Sequence, residues 1–303
     1  MSKRLLLTGY GGFVAGSIIY HARKDWEVHA LSLTEAPCCR EGFTSYKFDL
    51  RDAKQLREIF EAVRPDAVVH TAALADIDYC QAHPQDAEEI NVGVTKTLAG
   101  LCGDTDTRMI LCSTDSVFDG VKGHYTEADA PSPLNVYAET KVKAEQAVLG
   151  TVSKGLVTRL SLVMGLPVLG AGNSFLAKMI TALKDGKQVP FPQNEIRTPV
   201  DVITLGRAFL ELATKDCTGF LHLAGSTRLN RYEMACHIAR RLGFPEDLVI
   251  ATDSNAMEGR AKRPNDASLD NSKAHTLLAT PMRNLDEALD LILEVDKGLG
   301  SRV

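Results

Sequence analysis

The stretch RLLLTGYGGFVAG, residues 4–16, indicates the fold class. An apolar run over 4–8 is typical of a short strand, and a glycine-rich turn over 9–16 follows it. In the GxxGxxA spacing that begins at Gly9, the first glycine makes a tight turn and the second lets the backbone approach a pyrophosphate. A helix, expected over 17–24, would offer its N-terminus to the phosphates. The predicted dinucleotide site includes these turn residues: Gly9, Gly11, Gly12, Phe13 and Val14.

Outward from this turn, short apolar runs alternate with helical patterns. The further predicted strands are residues 27–33, 46–50, 67–73, 108–114 and 155–163. Leu56, Ile59, Phe60 and Val63 have the spacing of one apolar helix face, and further helices are predicted over 85–102 and 136–149. Repeated strand–helix–strand units predict an α/β fold, a Rossmann-like doubly wound parallel sheet with right-handed crossovers.

The length of 303 residues corresponds to roughly two domains. We expect a dinucleotide-binding lobe from residues 1–160 plus 199–225, and a smaller, discontinuous α/β substrate lobe from 161–198 plus 226–303. Within the second lobe, two capping boxes are expected to open helices, the first at about 231–242. Their residues are Asn230 with Glu233, and Asn284 with Glu287.

Composition and charge exclude several classes of protein. The 34 Lys and Arg residues against 39 Asp and Glu give a net charge of −5, which argues against a nucleic-acid or anionic-membrane surface. The seven cysteines form no CxxC pair and the eight histidines show no ligand spacing, so we expect no metal and a reducing, cytoplasmic setting. His70 and His222 lie in apolar runs and are predicted to be buried and hydrogen-bonded.

The end of the second predicted strand bears on the choice of cofactor. A site for NAD expects an acidic residue about 20 positions after the glycines, but residues 28–34 contain none. Ser32, with Thr34 and Arg40 nearby, could receive a 2′-phosphate instead, so NADP(H) is favoured and NAD(H) is kept as the alternative. Asp49, at the end of the third predicted strand, is placed for the adenine edge. The predicted cofactor surface is completed by Leu50, Ala72 and Ala73.

Tyr137 and Lys141 start a predicted helix with i, i+4 spacing, which places both side chains on one face. A tyrosine with a pKa near ~10 is a poor proton donor at neutral pH. An adjacent ammonium is expected to lower this pKa, so that the phenol can exchange a proton with a carbonyl oxygen. Thr114 and Asp115 lie at the carboxyl end of the fifth predicted strand, and ligands bind at the carboxyl ends of such strands.

Four segments carry a resemblance to a known family. TGYGGFVAG, HTAA (70–73), STDSVFDG (113–120) and PLNVYAETK (133–141) resemble the extended short-chain dehydrogenase/reductase superfamily. Within it, the chain is similar to the dTDP-4-dehydrorhamnose reductase family, and YEMACHIARRLG (232–243) and KRPNDASLDNSK (262–273) fit its C-terminal half. This family reduces the 4-keto group of a nucleotide-linked deoxysugar with NADPH or NADH.

The resemblance implies specific roles for residues of this chain. Thr114, Tyr137 and Lys141 would be catalytic with Asp115 in support, and Lys141 would also hold the nicotinamide ribose. Asn91 matches a helix asparagine that orders a proton-relay water in related reductases, although a structural role at a helix interface fits it equally. The implied partner is a small molecule, a nucleotide sugar, and a homodimer is compatible with the resemblance.

The substrate region departs from the family. Ser116 stands where the family has tyrosine, Leu162 and Met164 replace aromatic residues, and Gln193–Val200 lacks the QxGxPT pattern. The remaining candidates for substrate contact are one asparagine and four arginines that could hold a diphosphate, although surface pairing is an alternative for each arginine. These residues are Asn173, Arg159, Arg197, Arg260 and Arg263.

Two rival functions remain open on the same scaffold. An epimerase or dehydratase would retain its cofactor, and Thr114-Asp115 partly resembles the dehydratase arrangement. The regulatory subunit of methionine adenosyltransferase is a related branch that binds NADP without a need for turnover, and the departure at Ser116 keeps this alternative open.

Overall fold

The central element is a sheet of seven parallel strands. The structure, a computed structural model, describes residues 2–22, 25–34, 42–169, 172–256 and 259–300. The strands of the sheet are β1 (Lys3–Thr8), β2 (Trp26–Ser32), β3 (Phe43–Lys47), β4 (Ala67–His70), β5 (Arg108–Thr114), β6 (Gly155–Leu160) and β11 (Gly219–Leu223). Their order, β11-β6-β5-β4-β1-β2-β3, reverses direction at β1, and a crevice for ligands opens at such a point. The predicted doubly wound parallel sheet is confirmed.

Helices cover both faces of this sheet. The helices are α1 (Phe13–His21), α2 (Ala53–Val63), α3 (Ile77–Ala82), α4 (Pro84–Ala87), α5 (Val94–Asp104), α6 (Val136–Thr151), α7 (Phe175–Lys184), α8 (Val202–Leu212), α9 (Arg231–Arg241), α10 (Ser272–Leu277) and α11 (Leu285–Gly298). On one face, Ile18 of α1 and Phe209 of α8 share a core with Leu5 and Leu7. On the other face, α2, α5 and α6 pack against the alternate side chains of the strands.

Three predicted boundaries were wrong near the nucleotide end of the sheet. Strand β4 ends at His70 rather than at residue 73. Helix α1 begins at Phe13 rather than at residue 17, because Gly12 is already its N-cap. Strand β3 spans Phe43–Lys47 rather than 46–50, since its register pairs Phe43 with Val28 and the chain leaves the sheet before Asp49.

The predicted helix over 85–102 is divided by a change in winding. Glu88–Gly93 forms a π-helical segment between α4 and α5, and Asn91 lies in its middle. Segments of this kind are often found at functional sites.

The C-terminal part forms a second core. Leu176 of α7, Ile238 of α9 and Leu289 of α11 pack together with the short strands β8 (Val189–Pro192) and β13 (Val249–Thr252). The other short strands are β7 (Val163–Met164), β9 (Ile196–Arg197), β10 (Val200–Asp201) and β12 (Leu229–Asn230). Both predicted capping boxes are present, at α9 and α11. Strand β11 returns to the central sheet, while the division into lobes stays a prediction.

Candidate active site

A cleft of about 310 Å³ lies at the carboxyl edge of the sheet. Its lining contains seven predicted cofactor residues, namely Gly9, Gly12, Ser32, Asp49, Leu50, Ala72 and Ala73. Sequence reasoning missed six others, namely Leu33, Arg51, Thr71, Leu74, Ile90 and Val94. Thr71 and Leu74 flank the two predicted alanines, so their place at the end of β4 was the signal for them.

The glycine turn is shaped to let a phosphate approach the backbone. Gly9 has φ +77°, and a Cβ there would lie 2.7 Å from the amide nitrogen of Ala72. Gly12 caps α1 without a side chain, so the first amide groups of the helix have no side-chain acceptor at this cap. Amides in this arrangement, at the positive end of a helix dipole, fit an anionic pyrophosphate.

The other residues of the predicted turn lie around the cleft rather than in its lining. Gly11 has φ +95°, and a Cβ added to it would lie 3.2 Å from the hydroxyl oxygen of Thr34. Phe13 packs against Gly165 and Gly172, and Val14 packs against the core beneath. Their cofactor contacts stay predictions.

The end of β2 carries two hydroxyls. Ser32 Oγ and Thr34 Oγ1 lie 3.2 Å apart, and the Thr34 amide donates to Ser32 Oγ at 3.3 Å. Arg40, the cationic candidate for a 2′-phosphate, lies outside the described residues.

Asp49 is paired at the outer edge of the cleft. Arg51 donates to its carboxylate from Nε at 3.0 Å and from Nη2 at 2.5 Å. These hydrogen bonds hold the pKa of Asp49 below its ordinary value, so the carboxylate is charged at neutral pH. An acceptor at this place can still bind an adenine amino group. Arg51 was not predicted, since nothing in its spacing distinguished it from a surface residue.

The candidate catalytic groups meet at the end of β5. Thr114 is its last residue, and its hydroxyl accepts a hydrogen bond from the Ser116 amide at 3.1 Å. Tyr137 lies in the first turn of α6, whose N-cap Asn135 accepts from the Ala138 amide at 2.9 Å. The Thr114 side chain lies close enough to the Tyr137 phenol to lower its pKa. The structure therefore brings Thr114 and Tyr137 together at the end of β5, beside β4, whose end borders the cofactor cleft.

The pKa of Tyr137 is shifted in the direction opposite to the prediction. Burial raises the pKa of the phenol, and the Cys112 thiol adds to the shift, while the neighbouring Thr114 side chain opposes it. The Nζ of Lys141 donates to the Cys112 carbonyl at 2.7 Å, and its charge does not outweigh the effect of burial on this pKa. Tyr137 is therefore protonated at neutral pH, which is the form that a proton donor requires.

Lys141 is enclosed by the protein. Its side chain is 2% exposed, and burial lowers the pKa of the ammonium while the Cys112 thiol and Glu145 raise it. The Cys112 thiol raises the pKa of both Lys141 and Tyr137, so these two predicted catalytic side chains lie near the same residue.

Asp115 lies in a buried polar pocket behind Thr114. Its carboxylate accepts from the hydroxyls of Thr114, Ser116 and Ser161, each at 3.3 Å, and lies 3.4 Å from Nε of Arg197. Burial raises the pKa of Asp115, and Arg197 is the first of the groups that oppose the shift. The structure thus places Ser116 and Arg197 beside Asp115.

Arg197 also binds three backbone carbonyls. It donates to Ile196, Pro264 and Asn265 at distances of 2.7 to 3.2 Å and is 6% exposed. These bonds tie the segment over 264–265 to the Asp115 pocket, which makes Arg197 a scaffold residue here. Contact between Arg197 and a substrate stays a prediction.

Arg159, predicted as an anion holder, is buried and paired with a carboxylate. Its side chain is 1% exposed and donates to Glu145 from Nε at 3.0 Å and from Nη2 at 2.7 Å. The guanidinium lies between the rings of Phe118 and Phe220, at 5.0 and 4.1 Å from their centroids. An arginine enclosed in this way balances a buried carboxylate, and contact between Arg159 and a substrate stays a prediction.

The remaining substrate candidates are placed less directly. Arg263 forms a two-pronged pair with Asp78 of α3, at 2.6 and 2.7 Å, so it would bind a phosphate only by opening that pair. Arg260 lies 4.0 Å from the same carboxylate. Asn173 is exposed and accepts a hydrogen bond from Lys178 at 2.7 Å. Their substrate roles stay predictions.

Asn91 is buried at the back of the cleft. Its amide accepts from the Leu74 amide at 2.8 Å and donates to the Leu74 carbonyl and to Thr140. The side chain therefore shapes the cleft through Leu74. Within the described part of the chain, no group of His, Cys, Asp and Glu side chains could hold a metal ion.

Comparison with known proteins identifies the family. The parallel sheet with a glycine turn at its switch point defines a Rossmann-like fold. A family model described as the RmlD substrate binding domain matches residues 3–297. The chain therefore belongs to this family, that of the dTDP-4-dehydrorhamnose reductases, and the predicted resemblance is confirmed.

Three relatives show the range of this family. The chain is 30% identical to methionine adenosyltransferase 2 subunit beta of Rattus norvegicus, over 91% of this chain and 83% of that protein. It is 29% identical to dTDP-4-dehydrorhamnose reductase of Escherichia coli, over 76% and 79% of the two chains. The structure of dTDP-4-dehydrorhamnose reductase from Bacillus anthracis in complex with NADP has a TM-score of 0.85 at 20% identity, and covers 96% of this chain and 99% of that one.

Proposed function

We propose that this protein is an NADPH-dependent reductase of a keto group on a nucleotide-linked sugar. The proposal is supported by the closeness of Thr114 to Tyr137, with Lys141 one turn further along α6. These residues lie at the end of β5, beside β4, whose end borders the cofactor cleft. Membership of a family that includes the E. coli dTDP-4-dehydrorhamnose reductase supports the substrate class.

The residues of the site divide the work of a carbonyl reduction. NADPH, when bound, supplies the hydride. Tyr137, which is protonated at neutral pH, donates the proton that the carbonyl oxygen needs. The Thr114 hydroxyl can hydrogen-bond the same oxygen when its proton turns from Asp115 to the substrate. The charge of Lys141 stabilises the phenolate that the donation leaves behind. Lys141 is also placed to hold the nicotinamide ribose.

Asp115 and its neighbours would position these groups. The carboxylate accepts from Thr114, and Arg197 links it to the backbone near Asn265. This arrangement would fix the Thr114 rotamer so that the hydroxyl faces the reacting oxygen. Loss of Asp115 should therefore lower kcat more than it changes KM.

The preference for NADPH is part of the proposal. Ser32 and Thr34 place hydroxyls at the end of β2, and Leu33 between them leaves no carboxylate there to repel a 2′-phosphate. The Bacillus anthracis relative was solved with NADP. Among the described residues, no helix is long and apolar enough to cross a membrane. A cytoplasmic location is also part of the proposal.

A screen of cofactors and substrates tests the proposal. Purified protein is mixed with NADPH or NADH and a panel of 4-keto and 6-deoxy-4-keto sugar nucleotides, and loss of reduced cofactor is followed by absorbance. We expect oxidation of NADPH with at least one dTDP-linked ketosugar, and a stoichiometric sugar product. Tight binding of NADPH with no oxidation across the panel would exclude the reductase.

A second candidate is a regulatory subunit. The 30% identity to methionine adenosyltransferase 2 subunit beta covers 91% of the chain, and that similarity favours a partner protein rather than a sugar. The test is size-exclusion chromatography of this chain with a methionine adenosyltransferase catalytic subunit, with and without NADP. A stable complex that changes the transferase KM, together with no sugar reduction, would favour this candidate.

The epimerase or dehydratase alternative has a different signature. These enzymes keep one cofactor molecule through the cycle, so denaturation of the purified protein should then release stoichiometric NAD. For the proposed reductase we expect exchangeable NADP(H). Chromatography with light scattering would test whether the protein is a homodimer.

A further inference from the structure

A chain of buried polar side chains runs beneath the floor of the cofactor cleft. Its members are Thr8, His70, Thr95, Asn91 and Thr140, each at most 2% exposed. They come from β1, β4, α5, the π-helical segment and α6, so the chain crosses the domain from the glycine turn to the tyrosine-bearing helix. The mechanism above uses none of their side chains directly.

The hydrogen bonds of this chain fix the protonation of His70. The Thr8 hydroxyl accepts from the Ala72 amide at 3.1 Å, and its own proton points to His70 Nδ1 at 2.7 Å. The Thr95 hydroxyl donates to the Asn91 carbonyl at 2.7 Å, so it must accept from His70 Nε2 at 3.0 Å. His70 is therefore the neutral tautomer with its proton on Nε2.

Burial supports the neutral form of His70. Burial, together with the positive charge of Lys141, lowers the pKa of His70 to about 3. The ring stays neutral at every pH at which the protein would work. One imidazole thus joins two hydroxyls on opposite sides, which a shorter amide side chain could not span.

The chain continues from Asn91 to the catalytic helix. The Asn91 amide group donates to the Thr140 hydroxyl at 3.0 Å, and Thr140 donates its proton to the Tyr137 carbonyl at 2.7 Å. Thr140 lies between Tyr137 and Lys141 in sequence. At the other end, Thr8 directly precedes Gly9, whose turn lies against Ala72.

We propose that His70 and Thr95 are positioning residues that hold the glycine turn and the first turn of α6 in one fixed geometry. This inference rests on the proposed reductase function, because it concerns the distance between the cofactor and the proton donor. A fully paired buried network is rigid, since any shift of one member leaves another unpaired in a low dielectric. Hydride and proton transfer both depend on such alignment.

Thr95→Val tests the inference at the middle of the chain. It keeps the shape of the side chain but removes the hydroxyl that joins His70 to Asn91. We expect kcat to fall by about 10- to 100-fold with little change in KM for the sugar, and Thr95→Ser to restore most of the rate. Thr158→Val is the matched control, because Thr158 is equally buried and also donates to one backbone carbonyl, that of Leu111.

Two outcomes would overturn the inference. One is an unchanged kcat in Thr95→Val, and the other is an equal loss in Thr158→Val, which would show a general effect of buried hydroxyls. If Thr95→Val does not fold, Thr140→Val breaks the chain at its end and carries the same expectation.

Two measurements need no turnover and so separate this inference from the proposed function. Nitrogen NMR of histidine-labelled protein should show the Nε2–H tautomer for His70, without titration between about pH 5 and pH 8. Hydrogen exchange of the free protein should be faster in Thr95→Val both at residues 9–13 and at 137–141. The opposite tautomer, a titrating ring, or faster exchange confined to α5 would contradict the proposal, even if a substrate is found.

Discussion

Replacement of Arg159 by methionine separates a structural role from a ligand-binding role. Arg159 and Glu145 are both buried, and their two hydrogen bonds of 3.0 and 2.7 Å form one paired unit between aromatic rings. Arg159→Met fills similar volume but leaves the Glu145 carboxylate with Ser113, at 2.6 Å, as its remaining hydrogen-bond donor. Stability should fall because an uncompensated charge stays buried.

The expected loss is large for a single substitution. Breaking a buried pair by removing one partner costs about 3–5 kcal/mol of unfolding free energy. Unfolding entropy scales with chain length, and for 303 residues this loss lowers the melting temperature by about 5–8 °C. The double change of Arg159→Met with Glu145→Leu should recover most of the loss, since it removes both charges.

Urea unfolding followed by circular dichroism measures the effect, and NADPH titration measures the site. Arg240→Met is the matched control, because Arg240 has the same two-pronged geometry with Glu246 on the exposed surface. We expect the control to leave the unfolding midpoint nearly unchanged. A stable Arg159→Met variant with a raised KM for the sugar would refute the structural account of Arg159.

The remaining predictions concern the cofactor turn, acid stability and the proton donor. Gly9→Ala should weaken NADPH binding by about ten- to a hundredfold in a fluorescence titration, because the added Cβ would collide with the backbone of Ala72. Gly186→Ala is the control, because Gly186 has a similar φ but no atom within 4 Å of an added Cβ, and it should leave NADPH binding unchanged. Burial lowers the pKa of His222 to about 4. The neutral ring therefore contributes its full stability above pH 6.5, and this contribution is lost as the pH falls from 6.5 towards 4. In His222→Phe, the unfolding free energy should depend less on pH below pH 6, by about 1 kcal/mol per pH unit. Because the pKa of Tyr137 is raised above 10.0, the ultraviolet difference between wild type and Tyr137→Phe should show no tyrosinate at pH 9. A titration near pH 7–8 would mean that Lys141 controls the phenol.

The fold was predictable because its signals are local. Strand β5 was predicted with its observed bounds, since its apolar centre MILC (109–112) is bounded by polar residues. The capping boxes at Asn230 and Asn284 were predictable because each needs only two residues three positions apart. Strand β3 was misplaced because its register depends on pairing with β2, and three of its five residues are exposed.

The site was predictable in its residue types and less so in its electrostatics. Spacing placed Tyr137 and Lys141 on one helix, but only the fold shows Lys141 bound to the Cys112 carbonyl. Likewise, the sequence offered Arg159 and Arg263 as possible ligands of a diphosphate. It did not show that each of them pairs with a carboxylate, which lies 14 positions away for Arg159 and 185 positions away for Arg263. Contacts at such separations follow from packing, which a local pattern does not contain.

The most direct test of the reductase is a comparison of wild type with Tyr137→Phe. Initial rates of NADPH oxidation are measured with dTDP-4-dehydrorhamnose, and NADPH affinity is measured separately. We predict turnover by the wild type and a loss of about a hundredfold or more in Tyr137→Phe, with NADPH affinity retained. An equal rate in the two proteins, or no turnover by the wild type with any ketosugar nucleotide, would contradict the proposed function.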